Sequence, residues 1–326
     1  MMYSPKRAAP RSPNAPGARL GGVKVLVTGA TGFIGRHVTA RLLQRGHQLV
    51  ALSRSGREPR ATSPQLEAPE RPAPSAAGLA DQITPVQANV VAGEGLQEAL
   101  IGVDAAVHLV GIIRASGGAT FEQVHVDGTR NVVAAAQAAG VERFVHLSAL
   151  EGQVGSPSKY LDTKGQAEEL VRNSALSWTI LRPSLTFGPG DDFFGSVLRD
   201  LVRLPPVIPQ VGDSSFLFRP VWVGDVACAC AAAIERPATA SRSFDLVGPA
   251  EYSFRELLQL VREALGVRKP IVGVPLPLMR LGVNCTGFSR DCFLTRPASA
   301  GLVFDCMPLR IEWGLGTQWR SAGAAC

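Results

Sequence analysis

VKVLVTGATGFIGRHVTARLLQRG, residues 23 to 46, is the stretch from which the fold can be read. The apolar run from Val23 closes on Gly29, as a buried strand closes on a turn. FIGRHVTARLLQRG then spaces Ile34, Val38 and Leu42 for one face of a helix, with Gly46 as its C-terminal stop. QLVALSR, residues 48 to 54, reads as a second strand and completes a βαβ unit. Gly29, Gly32 and Gly35 therefore stand where a buried strand turns into a helix. Their spacing, G-x-x-G-x-x-G, is one residue longer in its first step than the usual dinucleotide fingerprint. The chemistry is unchanged, because glycines allow a tight turn and close backbone approach while the helix N-terminus faces a pyrophosphate.

The same alternation runs outward from this unit. QITPVQANV (82–90), DAAVHLVGI (104–112), RFVHLSAL (143–150) and WTILRPS (178–184) read as strands. Helices are expected around LQEAL (96–100), over 121–139 and over SKYLDTKGQAEELV (158–171). Near-continuous apolar strands alternating with helices imply a parallel sheet covered on both faces. The expected fold is α/β, a Rossmann-type doubly wound parallel sheet with a small C-terminal substrate lobe. Residues 1–21 read as a disordered basic extension and 22–187 as the dinucleotide-binding domain, with a Pro-rich surface loop at 55–80. Residues 188–284 form the lobe, with RPVWVGDVACACAAAI and SFDLVGP returning to the main sheet. In 285–326 the pattern stops, and this tail of unknown role is either a divergent extension or a frame-shifted end.

A net charge of +6 invites a nucleic-acid reading, but Lys6, Arg7, Arg11 and Arg19 lie in a segment of twenty residues without an acid. The remaining chain is close to neutral, which argues against a phosphate-backbone surface. None of the six cysteines forms a CxxC pair, so a reduced compartment is expected. The setting is read as cytoplasmic, or an organelle matrix if the basic N-terminus is a transit peptide. No apolar run reaches the roughly 18 residues of a membrane span, although docking on a membrane or within a complex is compatible with the chain. PIVGVPLPLMRLGV (270–283) is read as a strand or loop leading into a core-facing helix. The histidines lack metal-ligand spacing, so no metal is expected. The adjacent Asp191 and Asp192 read as a solvated turn.

Besides the glycines, Thr31, Phe33 and Ile34 of the turn are expected to line the nucleotide. The end of the second strand chooses between dinucleotides. An acidic residue there suits the ribose diol of NAD, whereas this chain has Ser53 and Arg54, with Arg57 just beyond. A hydroxyl and a guanidinium suit a 2′-phosphate, so NADP(H) is preferred and NAD(H) is the alternative. Further strand ends should line the cofactor: Asn89 and Val90 near the adenine, and Leu109, Val110 and Gly111 under the nicotinamide side. On a helix, Tyr160 and Lys164 share a face, and a nearby ammonium favours phenolate over phenol.

TGATGFIG, VHLVG, HVDGTRNVV, YLDTK, ILRPSLTFGPGD and RPVWVGDVA, in this order, resemble the extended and atypical branch of the short-chain dehydrogenase/reductase superfamily. The likeness is greatest to the group related to the NADPH-binding accessory subunit of respiratory complex I. The resemblance covers about residues 22 to 284. It implies Tyr160 as general acid/base, Lys164 as the residue that tunes it and holds the nicotinamide ribose, and a serine and an asparagine beside them. Ala149 occupies the serine slot with Ser148 one residue early, and His125 stands where the asparagine is expected. Ser148 is therefore the candidate for a substrate hydrogen bond. Pro183 and Lys164 join the cofactor set through this family resemblance. The implied activity is hydride transfer between NADP(H) and a small, quinone-like or lipid-like carbonyl or alcohol. The alternatives are a non-catalytic NADPH-binding subunit or assembly factor of a respiratory or quinone-related complex, a nucleotide-sugar epimerase/dehydratase, and a redox-sensing regulator. The oligomeric state is open.

Overall fold

A computed structural model describes residues 22–56, 82–115, 117–203, 206–211 and 217–274. The basic extension, most of the Pro-rich loop with Arg57, and the tail after 274 lie outside the described residues.

The first βαβ unit forms as its pattern requires: β1 (Lys24–Thr28), α1 (Phe33–Gln44) and β2 (Gln48–Ser53). β3 (Ile83–Gln87), α2 (Leu96–Ala99) and β4 (Ala105–His108) follow. The helix expected over 121–139 opens with a π-helical turn, Glu122–Asp127, and continues as α3 (Gly128–Ala139). Next come β5 (Arg143–Leu147), α4 (Lys159–Arg172), β6 (Ser177–Pro183) and β7 (Thr186–Phe187). A second π-helical turn, Phe193–Leu198, runs into α5 (Arg199–Arg203). β8 (Ile208–Val211), β9 (Leu217–Phe218), β10 (Val221–Trp222), α6 (Val223–Glu235), β11 (Arg242–Leu246), β12 (Tyr252–Ser253), α7 (Phe254–Ala264) and β13 (Ile271–Val274) complete the described chain.

Seven parallel strands form one sheet in the order β11-β6-β5-β4-β1-β2-β3. This is a doubly wound α/β sheet, and its order reverses between β1 and β4, where such sheets bind ligands. Strand alternation divides the core. Val25, Val27, Val107 and Val145 pack with Val38 and Leu42 of α1 and the Ala-rich face of α6. Leu26, Ala106, Phe144 and Ile180 pack on the other face with Val132 of α3 and Val171 of α4. β11 enters the sheet beside β6, with Arg242–Leu246 paired to Thr179–Pro183, whereas β10 pairs with β7 outside it. A third cluster, Leu198, Val202, Ile208, Phe254, Leu257 and Leu258, holds α5, β8 and α7 together.

Helix α4 is fixed by an ion network rather than by apolar contact alone. Glu168 is fully buried and accepts hydrogen bonds from Arg182 of β6 (2.8 and 2.6 Å) and from Arg172 (2.6 Å). A buried carboxylate held by two guanidiniums has its desolvation offset by directed charge-assisted bonds. The network sets where α4 sits on the sheet, and so where its exposed end points.

Candidate dinucleotide and acid-base site

At the centre of the site, the strand-to-helix turn needs its glycines for three separate reasons. Gly29 has φ +72°, and a Cβ there would lie 3.3 Å from the Val110 nitrogen of the adjacent strand end. At Gly32 a side chain would crowd the Gly29 carbonyl, with which the Gly32 N–H already bonds at 3.0 Å. At Gly35 a Cβ would fall 2.0 Å from the same carbonyl oxygen, an overlap that would force helix and strand apart. The first turn of α1 carries no acid and no capping side chain, so its N–H groups and helix dipole are left for an anion. Thr31 and Gly32 are exposed at this turn, while Phe33 and Ile34 are half-buried.

The end assigned to the adenosine on sequence is open. Arg54, Gln87, Ala88, Asn89, Glu94 and Gly95 line a pocket of about 370 Å³. Arg54 and Asn89, assigned to this end on sequence, are thus brought together. Ser53 is buried behind them, and its carbonyl accepts from the Ala88 N–H at 3.2 Å. The strand expected over 82–90 ends at Gln87 because Asn89 makes a turn. Its Oδ1 accepts from the Val91 and Ala92 N–H groups at 3.0 and 3.4 Å. Val90 packs into the core. Its carbonyl and that of Val91 both accept from Asn131 Nδ2 at 2.9 Å. Asn131 of α3 is therefore a further residue holding this wall. Position i+4 from Asp127 in HVDGTRN carries no polar signature that would single it out.

The end assigned to the nicotinamide is crowded. Ser158 caps α4, accepting from the Leu161 N–H at 3.5 Å. Lys164 is 5% exposed, and its Nζ donates to the Leu147 carbonyl at 3.2 Å. Burial pushes its pKa down to about 8, opposed by the Glu168 carboxylate. A Cβ at Gly111 would meet Lys164 Nζ at 3.0 Å and His125 Nε2 at 3.5 Å, so the ammonium abuts this strand end. Leu109 is tied to β1 through the Thr28 Oγ1, and Val110 packs into the second core cluster. Tyr160 is half-buried, its ring edge-on to His125 (5.5 Å, 78°) and to Phe121 (5.9 Å, 73°).

Ser148 is 4% exposed, its Oγ without a hydrogen-bond partner among the described residues. The Oγ lies 3.2 Å from where a Cβ on Gly152 would stand, and the Cβ of Lys164 is 3.3 Å from that same point. Ala149 follows it, also buried. The Pro183 carbonyl accepts from the Leu150 N–H at 2.9 Å and fixes the loop that leads from β5 to α4. Asp191 Oδ1 accepts from the Phe194 and Gly195 N–H groups at 2.6 and 3.2 Å, so it caps the second π-helical turn, as a turn residue would.

Sequence reading missed a polar row under this end. Thr28, His108 and His146 are register partners across β1, β4 and β5. Thr28 Oγ1 and His108 Nδ1 are 2.7 Å apart, His108 Nε2 and Thr129 Oγ1 are 3.1 Å apart, and the rings of His108 and His146 stack at 5.5 Å. Burial and the Lys164 charge push His108 down to about 3 and His125 to about 2, and His146 well below the usual range. All three are neutral imidazoles. The signal was the repeated VHL at 107–109 and 145–147, which places each histidine at a strand end on the same face. Among the described residues no group of histidine, cysteine or acidic side chains could hold a metal.

Comparison with known proteins agrees with this geometry. A family model described as NAD(P)H-binding matches residues 29–193, and one for the 3-beta hydroxysteroid dehydrogenase/isomerase family matches residues 153–243. The mitochondrial NADH-ubiquinone oxidoreductase 40 kDa subunit of Neurospora crassa is 26% identical over 80% of this chain, which spans 65% of that subunit's length. Ceramide reductase of Caulobacter vibrioides is 29% identical over 78% of this chain and 74% of that protein. An epimerase structure from Methanothermobacter thermautotrophicus shares the fold, with a TM-score of 0.63 at 21% identity over 78% of this chain and 80% of its own. The glycine turn, the switch-point sheet and the ordered motifs thus place the chain in the NAD(P)H-binding, atypical short-chain dehydrogenase/reductase family.

Proposed function

We propose that the protein is an NADP(H)-dependent oxidoreductase that interconverts a small or lipid-like carbonyl and its alcohol. The observation that carries the reading is Lys164. It is a buried ammonium, one helical turn from Tyr160, against the Gly111 strand end and bonded to the Leu147 carbonyl. Desolvating a lysine is costly, and a site that keeps one beside a tyrosine uses its field. The dinucleotide, when bound, supplies or accepts the hydride. Tyr160 Oη gives a proton to the carbonyl oxygen in reduction and takes it back in oxidation. Lys164 favours the phenolate and donates to the nicotinamide ribose. The glycine turn and the first turn of α1 would hold the pyrophosphate, and Arg54 would take the 2′-phosphate, with Ser53 buried behind it. The half-buried rings of Phe121 and Tyr160, with Ile113 47% exposed nearby in sequence, favour an apolar substrate. Ceramide reductase among the relatives supports the same class.

A second reading is a non-catalytic NADPH-binding subunit of a larger complex. Ala149 in the serine slot and the burial of Ser148 favour it, as does the likeness to a respiratory subunit. Among the described residues no helix is long and apolar enough to cross a membrane, so such a subunit would dock peripherally through this part of the chain. Titration of the purified protein with NADPH and NADH, followed by NADPH oxidation against a carbonyl and quinone panel, separates the two. The enzyme reading expects turnover that Tyr160→Phe abolishes. Tight NADPH binding with no turnover by either protein overturns it, and preference for NADH overturns the role given to Arg54.

A further inference from the structure

We propose that His125 is a positioning residue, a clamp that ties the Gly111–Ile112 strand end to the helix carrying Tyr160 and thereby fixes the plane of the phenol. The inference rests on the oxidoreductase reading for its consequence, but its geometry stands apart from it.

Hydrogen-bond accounting sets the state of the ring. Thr163 has one O–H, which donates to the Lys159 carbonyl at 2.8 Å with the Tyr160 carbonyl at 3.1 Å. Its oxygen therefore accepts, so the 2.9 Å contact with His125 Nδ1 requires the proton on Nδ1. Nε2 is then bare and accepts from the Ile112 N–H at 3.1 Å. The other tautomer would turn Nε2 to the Ile112 carbonyl, also at 3.1 Å, draw the Thr163 hydroxyl away from the Lys159 carbonyl and leave the Ile112 N–H unpaired. The Nδ1–H form keeps the Ile112 N–H and the Thr163–Lys159 bond paired while it joins helix to strand.

The ring also packs on both of its neighbours. Phe121 stacks on it (5.5 Å, 27°), Tyr160 meets it edge-on, and Phe121 and Tyr160 meet each other edge-on. The three rings constrain one another. His125 lies inside the π-helical turn Glu122–Asp127, whose wider turn shifts its residues out of α-helical register, a device recurrent at functional sites. With both nitrogens engaged by the chain, position 125 has no polar atom left for a relay through Lys164.

Thr163→Val removes the helix side of the clamp with little change in volume, and Thr163→Ser restores it. His125→Ala removes both sides. The first measurement is amide hydrogen exchange of the NADPH-loaded protein. Thr163→Val and His125→Ala are expected to speed exchange at Ile112 and in residues 158–164 by about tenfold, with β1 and β2 unchanged and Thr163→Ser like wild type. Unaltered exchange in both overturns the clamp whether or not the protein turns over. The second measurement is NADPH oxidation with 9,10-phenanthrenequinone as the probe. Thr163→Val is expected to lower kcat about tenfold while the Kd for NADPH stays within about threefold, and Thr163→Ser to recover kcat. An unchanged kcat, or a Kd that weakens by the same factor as kcat falls, overturns the positioning role. A wild type that binds NADPH but does not reduce the quinone counts against the oxidoreductase reading alone, and the exchange result then decides the clamp.

Discussion

The two ends of the dinucleotide site are built on opposite principles. At the adenosine end an exposed arginine stands over an open pocket whose wall is a turn held by Asn89 and Asn131. At the end assigned to the nicotinamide, three polar groups around the half-buried Tyr160 are buried: Lys164 against a carbonyl, His125 between helix and strand, His108 between two threonines. The open end can change its ligand preference by a surface substitution at little cost to the fold. The closed end cannot, because Lys164, His125 and His108 each bond a neighbour that would otherwise be orphaned in a low-dielectric interior.

The largest effect expected at the closed end is chemical. Tyr160→Phe should lower turnover with a carbonyl probe by about 10² to 10⁴-fold while NADPH affinity, measured by fluorescence titration, moves less than about threefold. A variant that keeps a tenth or more of wild-type turnover removes Tyr160 from the proton transfer.

The closed end should also make the fold sensitive to acid. His108, His125 and His146 have folded-state pKa values far below the ordinary 6.5. The unfolded chain therefore takes up protons below about pH 6.5 that the folded chain refuses, so stability is present above that value and lost as pH falls. Once all three titrate in the unfolded state the loss approaches about 4 kcal/mol per pH unit. Lys164 acts with the same sign higher up: lowered from 10.5 to about 8, it makes stability rise with pH between those values. Urea unfolding at pH 7.5, 6.0 and 5.0 reads the first window. His146→Phe, which removes a ring with no hydrogen-bond partner among the described residues, should reduce the acid slope by about a third. A flat profile would mean that the histidine row is not held neutral.

At the open end the effects are smaller and selective. Arg54→Ala should weaken NADPH about 10 to 100-fold and leave NADH within about twofold, since only a 2′-phosphate would engage the guanidinium. Equal losses for both cofactors would show that Arg54 shapes the pocket rather than reading the phosphate. The smallest effect is expected from Asn89→Ala, about 1 kcal/mol of unfolding free energy by thermal or urea melts, from the bonds that close its turn.

Much of this difference between the ends was visible in the chain before folding was considered, though unevenly. Arg54 and Asn89 could be named because they follow strands directly, and a strand end has a known place in a doubly wound sheet. Lys164 could be named because i and i+4 on one helix need no tertiary information. His108 and His146 were seen only as histidines without metal spacing, although both sit in the sequence VHL. Their meaning depends on two strands 38 residues apart lying side by side. The π-helical turn at 122–127 left no mark in the periodicity, since its apolar spacing reads as an ordinary helix over six residues.

The sequence alone determined the backbone plan. Buried strands, amphipathic helices and a glycine triplet are local, and at Gly29 and Gly35 the turn that joins the first strand to its helix has no room for a side chain. It also determined that a tyrosine and a lysine share a helix face. Only the tertiary structure decided what surrounds them: the carbonyl that receives Lys164, the tautomer of His125, the neutral histidine row beneath, and the burial of Ser148. Those are properties of burial and hydrogen-bond satisfaction among residues distant in the chain. They exist only once the sheet has placed β1, β4 and β5 side by side and Glu168 has tied α4 to β6.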